Sequence, residues 1–401
     1  MIIPDRNRVA IQFGKTGQGS KRIVIVVKNG DLHDGSVFPG IVQRGENSKS
    51  QRQGNFDRTV HMTDDLRTLR TWAEAVPKVE LHLHLEGAIP LPALWQLMQK
   101  YGGDPDVVVE ADLRQRLTYK DFPDFIAVWI WKNGFIRSYD DFTFIAEAVA
   151  RDLARQNIRY AEVFFSPTRF VAQGLQPQGL ARAIRKGLDR VPETEVWLIA
   201  DLVRDHGPEQ AVLTLAKIQG VLDQGIVGIG IGGSEHLYPP EPFAPVYEAA
   251  RGLGLRTSAH AGEAAGPASV RGAVAALEVD RIGHGIAARD DPGVMALLAE
   301  RRTPIELCPL SNVATGSLAR IEDHPVRQFR DAGLMLTVNT DDPGMFHNSM
   351  AEEFVVLHEV FGFSRDEIKT FILNGIEASW QAPDRKAVMM QAFQDDLAWR
   401  A

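Results

Sequence analysis

Cysteine is nearly missing from this chain: Cys308 is the single one in 401 residues. One thiol excludes an intrachain disulfide, and it excludes the paired Cys-x-x-Cys spacing of many zinc sites. Long apolar runs are missing too, because Asp, Arg, Gly or Pro interrupts each of them, so no membrane span is expected. The apolar stretch at residues 23–27 is too short for the core of a signal peptide. Basic charge is not in excess. Against 44 Lys and Arg stand 52 Asp and Glu, a net charge of −8, which argues against nucleic acid as the main partner. A reducing cytoplasmic setting is the expected compartment. The length leaves room for two ordinary domains or for one large α/β barrel.

The first 61 residues differ from the rest. They are rich in Gly, Ser, Asn and Gln and carry more Lys and Arg than acid, so residues 1–61 read as a mostly disordered extension with one short strand at 23–27. Gly14-Lys15-Thr16 is not a phosphate loop, because Val9 stands where the upstream glycine belongs. Met62 precedes an acidic helix start (Thr63, Asp64, Asp65) and is expected to serve as an alternative translation start. Residues 62–401 read as one barrel domain. Short β-rich runs are expected at 79–85, 159–165, 196–202, 227–231, 255–260, 281–284, 304–308 and 334–339, with amphipathic helices between them at 141–156, 179–190, 208–224, 245–253 and 292–301. Strands separated by helices pair in parallel through right-handed crossovers, and eight such units predict a (β/α)8 TIM barrel. A long insertion after the first strand, roughly 91–139, is predicted as an aromatic-rich helix pair that packs on the barrel or caps its mouth.

The polar residues that matter fall at predicted strand ends. In the run from Val79 to Leu85, side chains alternate, so His82 and His84 share a face with Glu80 and Glu86 while Val79, Leu81, Leu83 and Leu85 face the other way. His260 ends the fifth strand, His284 the sixth and Asp341 the eighth, at the face where barrels place their chemistry. Three imidazoles and one carboxylate would suit a mononuclear zinc site that keeps a position for water. Glu263, three residues beyond His260, is placed to move protons rather than to bind metal. Asp342 would accept a hydrogen bond from a substrate, or cap the turn before Pro343. The Gly228–Gly233 run formally matches a dinucleotide motif, yet no helix start follows it, so close approach of a flat ligand to bare backbone is the better reading. The strand also lacks the lysine that bridges two metals in many binuclear hydrolases.

Taken together, Pro77-Lys78-Val79-Glu80-Leu81-His82-Leu83-His84-Leu85-Glu86-Gly87, His260-Ala261-Gly262-Glu263, Arg281-Ile282-Gly283-His284-Gly285, Cys308-Pro309-Leu310-Ser311-Asn312 and Asn339-Thr340-Asp341-Asp342-Pro343 resemble the adenosine deaminase family. The resemblance implies one zinc ion per chain, held by His82, His84, His260 and Asp341. It implies that Glu263 protonates purine N1, that His284 orients or deprotonates the attacking water, that Asp342 hydrogen-bonds N7 and that the Gly233 amide meets N3. His84 and Glu86 would line the substrate, a small purine. Family members specific for adenosine usually carry Asp where this chain has Glu86, whereas Gly283 and Thr340 resemble the adenosine branch. The expected reaction is hydrolysis of adenosine or 2′-deoxyadenosine to the inosine product and ammonia. Adenine and 5′-modified adenosines such as aminodeoxyfutalosine are the alternatives, and a non-catalytic purine-binding barrel is the rival from another class.

Overall fold

The computed structural model describes residues 64–401 together with the backbone of two N-terminal strands, β1 (Val9–Lys15) and β2 (Lys21–Val27). These two pair antiparallel. The strand expected at 23–27 lies within β2, its partner was not foreseen, and the remainder of residues 1–61 lies outside the described residues.

Eight further strands run parallel in sequence order: β3 (Lys78–His84), β4 (Ile158–Phe165), β5 (Glu195–Asp201), β6 (Ile226–Gly230), β7 (Arg256–Ala261), β8 (Arg281–His284), β9 (Ile305–Leu307) and β10 (Leu336–Val338). Each expected strand is found, with its ends shifted by two residues at most. Outward side chains such as Val79 pack under the surrounding helices, close enough that only glycine fits at Gly375 of the helix Arg365–Ala378. Both faces of the strands are therefore buried, as parallel barrels require.

The inward face is polar, and its charges are matched. Arg281 on β8 pairs with Glu162 on β4 at 2.6 Å and with Glu306 on β9. Tyr160 donates to Glu162 at 2.6 Å. The Arg281 guanidinium also lies 3.8 Å from the centre of the Trp380 ring. Pairing of this kind offsets the cost of burying charge, which a lone ion could not tolerate.

The seam between the first and last barrel strands is stitched largely by side chains. The Leu81 N–H donates to Asn339 Oδ1 at 3.0 Å, and Glu80 accepts from the Thr340 amide and hydroxyl at 3.0 and 2.7 Å. Beyond these, His84 N–H donates to the Asp341 carbonyl and Asp341 N–H to the His82 carbonyl, both at 2.9 Å. Closing the barrel thus carries Asp341 to the two histidines of β3.

The insertion is helical, as expected, but consists of three helices rather than a pair: Leu91–Lys100, Glu110–Arg116 and Phe122–Asn133. Pro123 stands within the first turn of the third, and Asp121 caps it by accepting from Asp124 N–H at 2.9 Å. Helices at Met350–Glu359, Arg365–Ala378, Pro383–Asp395 and Leu397–Arg400 complete the described chain. Among the described residues no helix is long and apolar enough to cross a membrane.

Candidate active site

His82, His84, His260, His284, Glu263, Asp341 and Asp342 come together at the C-terminal mouth of the barrel, whereas Glu86, expected to line the substrate, is fully buried and not among the residues that line the cleft. His82 Nε2 and His84 Nε2 each lie 3.1 Å from His260 Nε2. Asp341 Oδ1 lies 3.5 Å from His82 Nε2 and 3.3 Å from His84 Nε2. A tetrahedron around zinc with bonds of about 2.0–2.1 Å has edges of roughly 3.3–3.4 Å. The four distances fit that shape. Ring nitrogens whose lone pairs point at one another repel unless a proton or a cation stands between them. His284 comes into the same space: one donor atom each of His82, His260, His284 and Asp341 lies within 4.8 Å of the others. Two sets of four are therefore possible on distance alone, and the hydrogen bonds separate them. Asn312 Nδ2 lies 3.1 Å from His284 Nδ1. With the amide donating, Nδ1 accepts and Nε2 carries the proton, so His284 presents an N–H rather than a lone pair. The set with His84 has the tighter spacing, and His284 stands beside it with Asn312 at its Nδ1.

The surroundings hold these groups in place and favour positive charge on His82 alone among the four histidines. Glu306 Oε2 lies 2.7 Å from His82 Nδ1 and orients the ring, and Arg281 in turn holds Glu306. Burial would lower the His82 pKa, but the Asp341 and Glu306 carboxylates outweigh it and push it up to about 10. Ser311 donates to Asp341 Oδ2 at 2.6 Å. Burial lowers the His284 pKa to about 3, so its ring stays neutral. The backbone is strained here. His284 has φ 63°, Asp341 φ 64° and the cleft residue Val203 φ 47°, a region costly for residues with a Cβ.

Glu263 lies beside this cluster, its Oε2 3.6 Å from His284 Nε2 and its side chain 8 % exposed. Burial, with the charges of Asp341 and Glu235, holds its carboxyl well above the usual range, so it keeps its proton. Glu235 was not picked out from the sequence, yet its carboxylate accepts from four consecutive amides of the loop that carries Glu263. Those are Gly262 at 2.5 Å, Glu263 at 3.0 Å, Ala264 at 2.8 Å and Ala265 at 3.2 Å. The signal for it was an acid two residues after Gly233, at the end of the glycine run that leaves β6.

Asp342 is buried, and its Oδ1 has no hydrogen-bond partner among the described residues. Burial and the neighbouring Asp341 push its carboxyl well above the ordinary range. Gly87 makes room for it: a Cβ there would stand 1.4 Å from Asp342 Oδ1. Gly233 has φ +103°, and a Cβ there would stand 2.0 Å from Asp205 Oδ2. Glu86 Oε1 accepts from Ser166 N–H at 3.0 Å, and burial pushes its carboxyl up to about 7 against the pull of Lys132. His84, Glu263, His284, Asp342 and Gly233 line one open cleft of about 580 Å³, walled by Phe122, Phe125, Ile126 and Trp129 from the insertion.

A closed parallel barrel with histidines and carboxylates converging at its C-terminal mouth defines a hydrolase-type (β/α)8 protein with a metal-ligating centre. The model of the adenosine deaminase family matches residues 77–395. An aminodeoxyfutalosine deaminase of Streptomyces coelicolor is 32% identical over 367 residues, which cover 88% of this chain and 94% of that protein. An adenine deaminase of the same species is 34% identical over 314 residues, covering 78% of this chain and 92% of that protein. A solved amidohydrolase of Burkholderia ambifaria with bound zinc superposes with a TM-score of 0.75 at 30% identity, covering 84% of this chain and 94% of that one. The chain belongs to the adenosine deaminase family. It is an enzyme of the deaminase class, which hydrolyses amino groups from adenine-type substrates.

Proposed function

We propose that this chain releases ammonia from C6 of an adenosine that is modified at its 5′ end. Adenosine and 2′-deoxyadenosine were the first expectation, but the relatives favour the alternatives over them: one is an aminodeoxyfutalosine deaminase and another an adenine deaminase. The cleft is open and walled by Phe122, Phe125, Ile126 and Trp129, which leaves room for a substituent beyond the base. The observation that carries the reading is the meeting of four metal-type donors, a protonated carboxyl and a free carboxyl in one cleft.

His82, His84, His260 and Asp341 would hold one zinc ion, which when bound supplies the Lewis acidity that makes hydroxide accessible at neutral pH. Glu263 donates its proton to ring N1, which draws electron density away from C6. The His284 N–H hydrogen-bonds the oxygen that adds to C6 and steadies its charge. Purine N7 bears a lone pair, so contact with Asp342 needs a proton on the carboxyl, and Asp342 donates rather than accepts as first expected. Burial beside Asp341 favours that protonated form. The Gly233 N–H faces N3, and Glu86 reads the ribose end. The water oxygen ends on C6; one of its protons goes to the amino group, which leaves as ammonia, and the other replaces on Glu263 the proton given to N1. Product analysis with adenine, adenosine, 2′-deoxyadenosine and 5′-substituted adenosines tests the reading. Highest kcat/KM on a 5′-substituted adenosine is expected. Highest kcat/KM on adenine would move the assignment to the base, and no ammonia from any 6-aminopurine would refute it.

A further inference from the structure

The cleft contains a guanidinium that no step above employs. Arg169 sits in the 3-10 turn Pro167–Gln173 that follows β4, and it lines the cleft. Its Cζ lies 4.6 Å from the centre of the Trp129 ring, on the wall supplied by the insertion. Its Nε is buried and has no hydrogen-bond partner among the described residues. No carboxylate among them lies within ion-pair distance of it either. The acids whose charges reach it are Asp205, Asp201 and Glu86. Asp201 and Asp205 are committed elsewhere, and Glu86 uses one oxygen while its Oε2 has no partner among the described residues. Asp201 accepts from the amides of Val203 at 3.1 Å and Gly232 at 2.8 Å and from the Ser166 hydroxyl at 3.2 Å. Asp205 accepts from the Ser234 amide and hydroxyl at 2.8 and 2.5 Å. Glu86 accepts from Ser166 N–H. A largely buried guanidinium left with donors to spare is costly unless something completes it. Its planar fork matches a carboxylate or a phosphate in two parallel hydrogen bonds.

We propose that Arg169 forms an oxyanion subsite, and that the substrate carries a carboxylate or phosphate on its 5′ extension. The inference rests on the deaminase reading and narrows its substrate class. Glu86, assigned to the ribose end, is within the electrostatic reach of Arg169, so the subsite would lie on the sugar side of the cleft. Trp129 stiffens the guanidinium from one face and leaves its edge to the ligand.

The experiment compares the metal-loaded enzyme with its Arg169→Met and Arg169→Lys variants. Four probes are used: adenine, adenosine, adenosine 5′-monophosphate and 5′-deoxy-5′-(carboxymethylthio)adenosine. The wild type should prefer an anionic probe over adenosine. Arg169→Met should cost that probe about 10- to 100-fold in kcat/KM, the worth of a charged hydrogen bond, mostly through KM. Adenosine and adenine should change little. Arg169→Lys should recover part of the loss, since it restores charge but not the fork. Preference for the carboxylate or for the phosphate probe tells which oxyanion the subsite takes. Equal loss on all four probes, or no loss on the anionic ones, overturns the subsite and leaves the deaminase reading standing. A folded, metal-loaded protein inert on all four overturns that reading, and the subsite with it.

Discussion

Replacing Gly87 with alanine should disarm Asp342 while leaving the barrel folded. Gly87 follows the His82–Glu86 run directly, and an added Cβ would stand 1.4 Å from Asp342 Oδ1, 2.3 Å from its Cγ and 2.7 Å from its Cβ. The first two atoms belong to a carboxyl that can rotate away. The third is close to the backbone and demands a small shift, so a stability loss of about 1–2 kcal/mol is expected, at the low end for overpacking. Once rotated, the carboxyl no longer meets N7, and one buried substrate hydrogen bond is lost. That is worth roughly 1–3 kcal/mol, or about a 5- to 150-fold fall in kcat/KM. Metal content should match the wild type, because the ligand atoms are untouched. The assay is steady-state ammonia release alongside elemental analysis and chemical denaturation. Asp342→Ala removes the atoms that clash, so adding Gly87→Ala in that background should cost far less activity than it does alone. Additive losses, or an alanine variant as active as the parent, would refute the idea that this glycine exists to admit Asp342.

Further outcomes follow from the same geometry. Glu263→Gln should lower kcat by at least about 100-fold with metal retained, as expected for loss of a general acid; near-normal turnover would exclude that role. Glu235→Gln puts an NH2 among the four amides that now donate to the carboxylate, so it should loosen the Glu263 loop and reduce kcat more than KM. An unchanged kcat would show the staple to be purely structural. Glu306→Gln should weaken metal affinity by about 10- to 100-fold, read by competition with a chelator, because His82 loses its orienting carboxylate; unaltered affinity would contradict this. Burial pushes the Glu353 carboxyl well above its ordinary value near 4.5, despite hydrogen bonds from Asn348 and Leu310. The folded chain then holds a proton that the unfolded chain releases, so stability is fully present below about pH 4.5 and declines as pH rises through the folded value. Glu353→Gln should lose less stability than the parent as pH rises above about 4.5, and parallel pH profiles would exclude the effect.

Much of the fold was legible because parallel strands buried on both faces carry β-branched and apolar runs, and the turns between them carry Gly and Pro. The ligand candidates were legible for a simpler reason: a histidine or acid at the end of such a run has few reasons to be there except chemistry. Partners that act across the barrel were not legible. Glu306 interrupts an apolar strand, and period-two counting places it inward, yet only closure of the barrel brings it to His82 and Arg281. Ser311 and Asn312 belonged to a recognised motif, but their tasks, holding Asp341 and His284, depend on a short helix entering from β9. Glu235 and Arg169 lie on loops, where local pattern says little about neighbours. Asp342 was read as an acceptor or a turn cap, and its burial beside a second acid, which favours the protonated form, was not visible in the sequence.

The most direct test of the central claim is turnover of the 6-aminopurine panel in water labelled with heavy oxygen. Hydrolysis at C6 predicts one labelled oxygen in each product and one ammonia released for each, both lost together in Glu263→Gln. Product without the label, or ammonia out of step with it, would contradict attack by water at that carbon.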